Sequence, residues 1–167
     1  MAKLPGEFEL IARYFKPLAA RMPGAVGLDD DVCTWAPEPS EDLVLTADAL
    51  VAGIHFLPDD PADLVARKML RVNLSDLAAK GARPVGYLMT SAFSPEIDEA
   101  WVKLFCAGLA ADQDEFGIAL MGGDTVATPG PLTLSLTAIG TVPKGRAPRR
   151  NGAKPDDVVL VSGSIGD

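Results

Sequence analysis

Three observations predict an α+β domain. Segments with helical spacing and segments of strand composition alternate, but too irregularly for a doubly wound sheet. The stretch PLTLSLTAIGTV at 131–142 alternates cleanly. It puts Leu132, Leu134, Leu136 and Ala138 on one face and Thr133, Ser135 and Thr137 on the other, as in a sheet with one polar or partner-facing side. A length of 167 residues suits one well-packed domain and is short for two.

Taken in order, Phe8, Ile11, Ala12, Phe15 and Leu18 recur at helical spacing, so an amphipathic helix is expected from about Glu7, ended by Pro17 and Pro23-Gly24. A loop follows with the run GLDDDVCTW at 27–35, where Asp29, Asp30 and Asp31 are adjacent, and Pro37 and Pro39 punctuate a second turn. LVLTAD at 43–48 has strand composition, ends on Asp48, and places Thr46 and Asp48 on one face. Asp60 as a cap, Pro61 at the first helical position and Asp63 in the first turn start a second helix. Its apolar stripe is Leu64, Val65, Met69 and Val72, and Gly81 fits its stop.

PVGYLMTSAF at 84–93 reads as a strand. A third helix is expected from Ser94-Pro95, with Ile97, Trp101, Leu104, Phe105 and Leu109 inward and Gly117 at its end. IALMGGD at 118–124 reads as a short strand running into a Gly-Gly-Asp turn. A basic loop, KGRAPRRNGAKP, precedes DVVLVSG, which is expected to be a buried strand. An apolar run followed by a Gly-rich turn is an unusual way for a domain to finish, so a fragment is expected, with a C-terminal half elsewhere.

The net charge of −8 argues against general affinity for nucleic acid or an anionic membrane surface. No apolar run approaches the roughly 20 residues that span a bilayer, and the N-terminus does not read as a signal peptide. The two cysteines, Cys33 and Cys106, have neither metal-ligand nor redox spacing; buried thiols in a reducing cytoplasm are expected. His55 is the single histidine, which rules out a His-rich zinc site and leaves a structural role as the plain expectation. There is no G-x-x-x-x-G-K-[ST], and Ser75 lacks an adjacent general base.

The chemistry therefore rests on aspartates. Asp30 and Asp31 lie in the early loop, Asp48 in the first strand, Asp76 one helical turn after Asn73, and Asp124 after Gly122-Gly123, whose missing side chains allow close approach to a ligand. Each alone reads as a cap or turn residue. Two carboxylates about 4 Å apart repel by roughly 4 kcal/mol at a surface-like dielectric, so a cluster of four or five needs cations, protonation or water to persist. Hard oxygen ligands suit Mg²⁺ bridging carboxylates to phosphates. Arg146, Arg149 and Arg150 form the one dense basic loop, either solvated surface or a phosphate clamp.

Assembled, GEFELIARYF, GLDDD, TADALVAGIHFLPDDPADLVARK, NLSDLAAKGA, MGGDT and RRNGAKPDDVVLVSG resemble the thiamine-monophosphate kinase family, of the superfamily that includes aminoimidazole ribonucleotide synthetase and selenophosphate synthetase. The resemblance implies a mixed, largely antiparallel four-stranded sheet with helices on one face. It implies an N-terminal ATP- and Mg²⁺-binding, dimerising domain over 1–150, with 151–167 beginning a linker and C-terminal domain. The implied activity is ATP-dependent phosphorylation of thiamine monophosphate to thiamine diphosphate, in a cytoplasmic homodimer with ATP near the dimer interface. The implied alternatives are a sister ATP enzyme with another acceptor and a non-catalytic dimerisation module.

Carried over by position, the resemblance assigns Asp31, Thr46, Asp48, Asp76 and Asp124 to several Mg²⁺ ions, with Asp30 as companion acid. It assigns Gly123, Asp124 and Arg150 to ATP and His55 to the thiamine substrate. Two positions depart from the family pattern. Asp29 stands where a glycine is usual, and Ala47 lacks the usual hydroxyl. If that glycine takes positive φ, Asp29 must adopt the left-handed region or the loop must shift.

Overall fold

The computed structural model describes residues 4–161 and 163. Four strands, β1 (Glu41–Val51), β2 (Arg83–Phe93), β3 (Ala119–Ala127) and β4 (Thr133–Pro143), form one sheet in the order β1-β4-β2-β3. β4 runs antiparallel to both β1 and β2, whereas β2 and β3 are parallel. Helix α2 (Ala62–Ala78) links β1 to β2, and α3 (Glu99–Phe116) crosses from β2 to β3. A parallel pair needs such a crossover, because a tight hairpin reverses the chain.

Period-two patterning sets the layers. Leu132, Leu134, Leu136 and Ala138 are buried, while Thr133, Ser135 and Thr137 on the other face are only partly covered, as their alternation predicts. Val65, Met69, Leu70 and Leu77 of α2 and Val102, Phe105 and Leu109 of α3 fill the same core, each burial being worth roughly 1.5–3 kcal/mol. The opposite sheet face carries no helix and leaves Leu43, Leu45, Leu88 and Val126 exposed. Fold class and four-stranded sheet are as expected.

Several local expectations are corrected. The N-terminal helix is three short pieces: α1 (Glu7–Leu10), a π-helical turn (Ile11–Phe15) and a 3-10 turn (Lys16–Ala19). Phe8 is 87% exposed rather than inward. Asp60 does not cap α2; its carboxylate accepts from the Leu57 N–H at 2.9 Å and closes the preceding turn. Leu64 and Leu104 face outward, because the neighbouring positions Val65 and Phe105 take the core.

Helix α3 starts at Glu99, with Asp98 as its cap accepting from the Trp101 N–H at 2.9 Å; Ser94-Pro95 belongs to a preceding turn. Gly117 does end α3, in the left-handed conformation. β1 continues past Asp48 to Val51, and β3 continues through Gly-Gly-Asp to Ala127, since β4 and β2 offer ladder partners along both lengths. Residues 157–161 form no strand and are exposed, because among the described residues no strand pairs with them; Ser162 lies outside the described residues. Cys106 is buried, but Cys33 only partly so.

Candidate functional site

The acidic loop is held at its base by the Thr34 N–H donating to the Gly24 carbonyl at 2.9 Å. Its left-handed residues are Val26, Gly27 and Leu28, at φ 49°, 64° and 58°. Asp29 itself has φ −95°, so the left-handed strain falls upstream of it. Gly27 adopts that region freely, whereas Val26 and Leu28 each cost about 1–3 kcal/mol there. Lys16 Nζ donates to both Asp29 carboxylate oxygens, at 2.7 and 2.6 Å. Asp30 Oδ1 accepts from the Asp31 N–H at 2.8 Å, leaving the Asp31 carboxylate exposed.

This loop forms one wall of a cleft of about 730 Å³. The N-terminal helical turns, through Phe8 and Ile11, make an apolar side, and β3 from Leu120 to Thr125 makes the opposite wall. Asp30, Asp31, Gly123 and Asp124 thus line a single cleft. Asp124 sits mid-strand, in register with Thr90. The close approach that Gly123 permits is to β2: a Cβ there would lie 1.8 Å from the Met89 carbonyl oxygen. Ser91 also lines the cleft, fully buried, with no hydrogen-bond partner for its Oγ. Burial pushes the Cys33 thiol upward on the same wall.

A second polar set lies at the other edge of the sheet. Thr46 Oγ1 donates to Asp76 Oδ2 at 2.7 Å, joining β1 to α2. Asp48, two residues on, shares the face of Thr46. Asn73 does not share the exposure of Asp76: it is buried and its Nδ2 donates to the Met69 carbonyl at 3.0 Å. His55 is exposed in the turn after β1, and its Nδ1 accepts from the Val51 N–H at 3.0 Å. An imidazole accepting at Nδ1 is the neutral tautomer that carries its proton on Nε2. Lys68 Nζ donates to the His55 carbonyl and holds the turn.

The expected acids therefore divide into two groups. β1 and β3 are opposite edges of four strands, so Asp48 and Asp124 are separated by about 14 Å across the sheet. Among the described residues no three His, Cys, Asp or Glu side chains stand close enough to hold one metal ion. Arg150 joins neither Gly123 nor Asp124. β4 ends at Pro143, eight residues beyond Ser135, the residue level with Asp124, which amounts to about 27 Å. Lys80 Nζ then holds the basic loop at that end by donating to the Pro148 carbonyl at 3.2 Å.

Lys16 and Ser91 escaped the sequence-level reading. Ser91 had a signal: it falls on the core-facing register of Tyr87, Met89 and Phe93, where a hydroxyl is out of place. Lys16 had none, because its partner lies across a loop.

Residues 29–142 match the family model described as AIR synthase related protein, N-terminal domain. The chain belongs to this AIR synthase related family. Within it, the chain is 50% identical over 163 residues to a thiamine-monophosphate kinase of Caulobacter vibrioides, covering 98% of this chain and 46% of the relative. A crystal structure of thiamine-monophosphate kinase from Stenotrophomonas maltophilia K279a is similar at TM-score 0.74 and 43% identity, over 87% of this chain and 45% of the other. A structure of AaThiL complexed with AMPPCP and TMP is similar at TM-score 0.61 and 27% identity, over 83% and 42%. The chain thus spans about half the length of the curated relatives it matches. The AIR synthase related domain here has no helix long and apolar enough to cross a membrane among its described residues.

Proposed function

We propose that this chain is the N-terminal, nucleotide-binding half of a thiamine-monophosphate kinase, which transfers a phosphoryl group from ATP to thiamine monophosphate to give thiamine diphosphate. The observation that carries this is the cleft in which Asp30, Asp31 and Asp124 face an apolar helical wall, in a chain 50% identical to a thiamine-monophosphate kinase. Phosphoryl transfer needs positioning and charge neutralisation more than covalent chemistry, and carboxylates supply these only through a cation.

Mg²⁺ fits the donors. All are hard oxygens, and Mg²⁺ is held by one or two carboxylates plus substrate phosphates and water rather than by a three-acid cage. The described residues gather no three such acids, and of the proposed oxygen donors Thr46 and Asp76 are in hydrogen-bond contact. When bound, Mg²⁺ neutralises charge on the transferring phosphates. The residues proposed to hold it are Asp31 and Asp124, with Asp30 as neighbour, in the cleft, and Thr46, Asp48 and Asp76 at the β1 edge. Gly123 is proposed to present backbone to the nucleotide beside Asp124. His55, with its Nε2 proton available, is proposed to orient the thiamine substrate. Arg150 would meet phosphate only at a site completed by another part of the protein or a second copy.

A homodimer that buries the helix-free sheet face, a cytoplasmic location and a domain boundary near residue 150 belong to the same proposal. The exposed Leu43, Leu45, Leu88 and Val126 support the dimer, since a soluble sheet rarely leaves such a face wet. The net charge of −8 argues against nucleic acid and anionic membrane as partners. The test is incubation of the intact protein with Mg²⁺, ATP and thiamine monophosphate; absence of thiamine diphosphate overturns the proposal. Residues 1–167 alone are expected to turn over little substrate, and turnover at the intact rate would contradict the division of the site.

A further inference from the structure

We infer that Lys16 is a positioning residue for the acidic loop, acting through Asp29, so that Asp29 is a latch and not a cation ligand. This rests on the proposal that the loop carries Asp30 and Asp31 to a Mg²⁺-bound nucleotide. Both Asp29 oxygens are engaged by Lys16 Nζ, at 2.7 and 2.6 Å, which removes that carboxylate from the ligand set. The ammonium also offsets one of three adjacent negative charges, which reduces the repulsion that Asp29 exerts on Asp30 and Asp31. The Lys16 stem passes over Gly27, where a Cβ would come within 3.2 Å of its Cε. Lys16 is therefore seated directly on the left-handed turn.

The loop needs such a hold. Its base is closed by the bond from Thr34 to Gly24, but its apex contains two non-glycine residues at positive φ, Val26 and Leu28. Strained backbone persists only where surrounding contacts over-determine it. The bond from the Asp31 N–H to Asp30 Oδ1 is internal to the loop and anchors it to nothing else. Leu28 and Cys33 pack against the core, and Lys16, from the turn below, adds the polar anchor at Asp29. The residue at the departure from the family's usual glycine thereby acquires a defined role. The side chain that glycine lacks ties the loop down just after its left-handed turn.

The test compares the intact protein with Lys16→Met, Asp29→Asn and the reversed pair Lys16→Asp/Asp29→Lys. Amide hydrogen exchange across 26–33, without nucleotide, and affinity for ATP with Mg²⁺ are both measured. An exposed pair is worth enough for a two- to fivefold effect. Both single variants are expected to exchange two- to fivefold faster and to bind ATP with Mg²⁺ two- to fivefold more weakly, at unchanged kcat, while the reversed pair returns toward the unmodified protein. Unchanged exchange in both single variants, or a reversed pair no better than either, overturns the latch. Failure of the unmodified protein to bind ATP with Mg²⁺ overturns the site proposal and the positioning role with it; the exchange result still decides whether the latch exists.

Discussion

Thr46 and Asp76 are joined by a 2.7 Å hydrogen bond from strand to helix, though thirty residues separate them in the chain. The hydroxyl fixes one carboxylate oxygen and leaves the other free. On the proposed function, Asp76→Asn is expected to lower thiamine diphosphate formation by the intact protein at least about 10²-fold, and Thr46→Val about tenfold, as for loss of a group that orients a ligand. Steady-state rates against Mg²⁺ concentration check this. Equal effects of both changes would show that Thr46 does more than orient Asp76.

Gly123 is pressed against the Met89 carbonyl, so Gly123→Ala must push β3 away from β2. Overpacking of this kind costs about 1–3 kcal/mol, and backbone contact at 1.8 Å places the change at the upper end. Urea denaturation should show the loss as a lower midpoint. An unchanged midpoint would mean that the strands separate freely there.

Asp112 is fully buried and accepts two hydrogen bonds from Arg71, each 2.8 Å, across α2 and α3. The bonds to Asp112 hold the Arg71 guanidinium above its ordinary pKa. Arg71→Met leaves the buried carboxylate with only the Arg67 guanidinium, 3.9 Å away. The expected cost is about 2–3 kcal/mol, less than for a fully enclosed pair because Arg71 itself is half-exposed. Arg71→Met combined with Asp112→Leu should recover most of it, and thermal unfolding of the three variants decides.

Burial pushes the Cys106 thiol up to about 12, from an ordinary value of 9.0. Burial favours the protonated form in the folded state, so its contribution to stability is complete below pH 9 and fades as pH rises from about 9 to 12. Tyr87, also buried and also raised, adds a loss of the same sign. Stability should therefore fall steeply above pH 9, and less steeply in Cys106→Ala. At pH 8, alkylation should label Cys33 well before Cys106; equal rates would mean that the core opens locally.

Period-two and helical patterning made most of the fold legible, because burial of a face repeats along an element. β4 follows its alternation residue by residue, and α2 and α3 place Val65, Met69, Phe105 and Leu109 as their stripes predict. Element ends were less legible. Asp60 and Ser94 carry the right chemistry for caps, yet the chain used Asp60 in a turn and gave the α3 cap to Asp98, a choice between local hydrogen bonds of similar worth.

By itself, then, the sequence determined the fold class, the inventory of acidic side chains and the family signature, all of which depend on residue types and short-range spacing. Tertiary structure decided which acids can act together. Strand order put Asp48 and Asp124 on opposite edges, close packing of β3 on β2 set a need for glycine at 123, and a contact across the loop turned Asp29 toward Lys16. Such relationships come from strand pairing and loop closure over long separations, where no periodicity records which residues will meet.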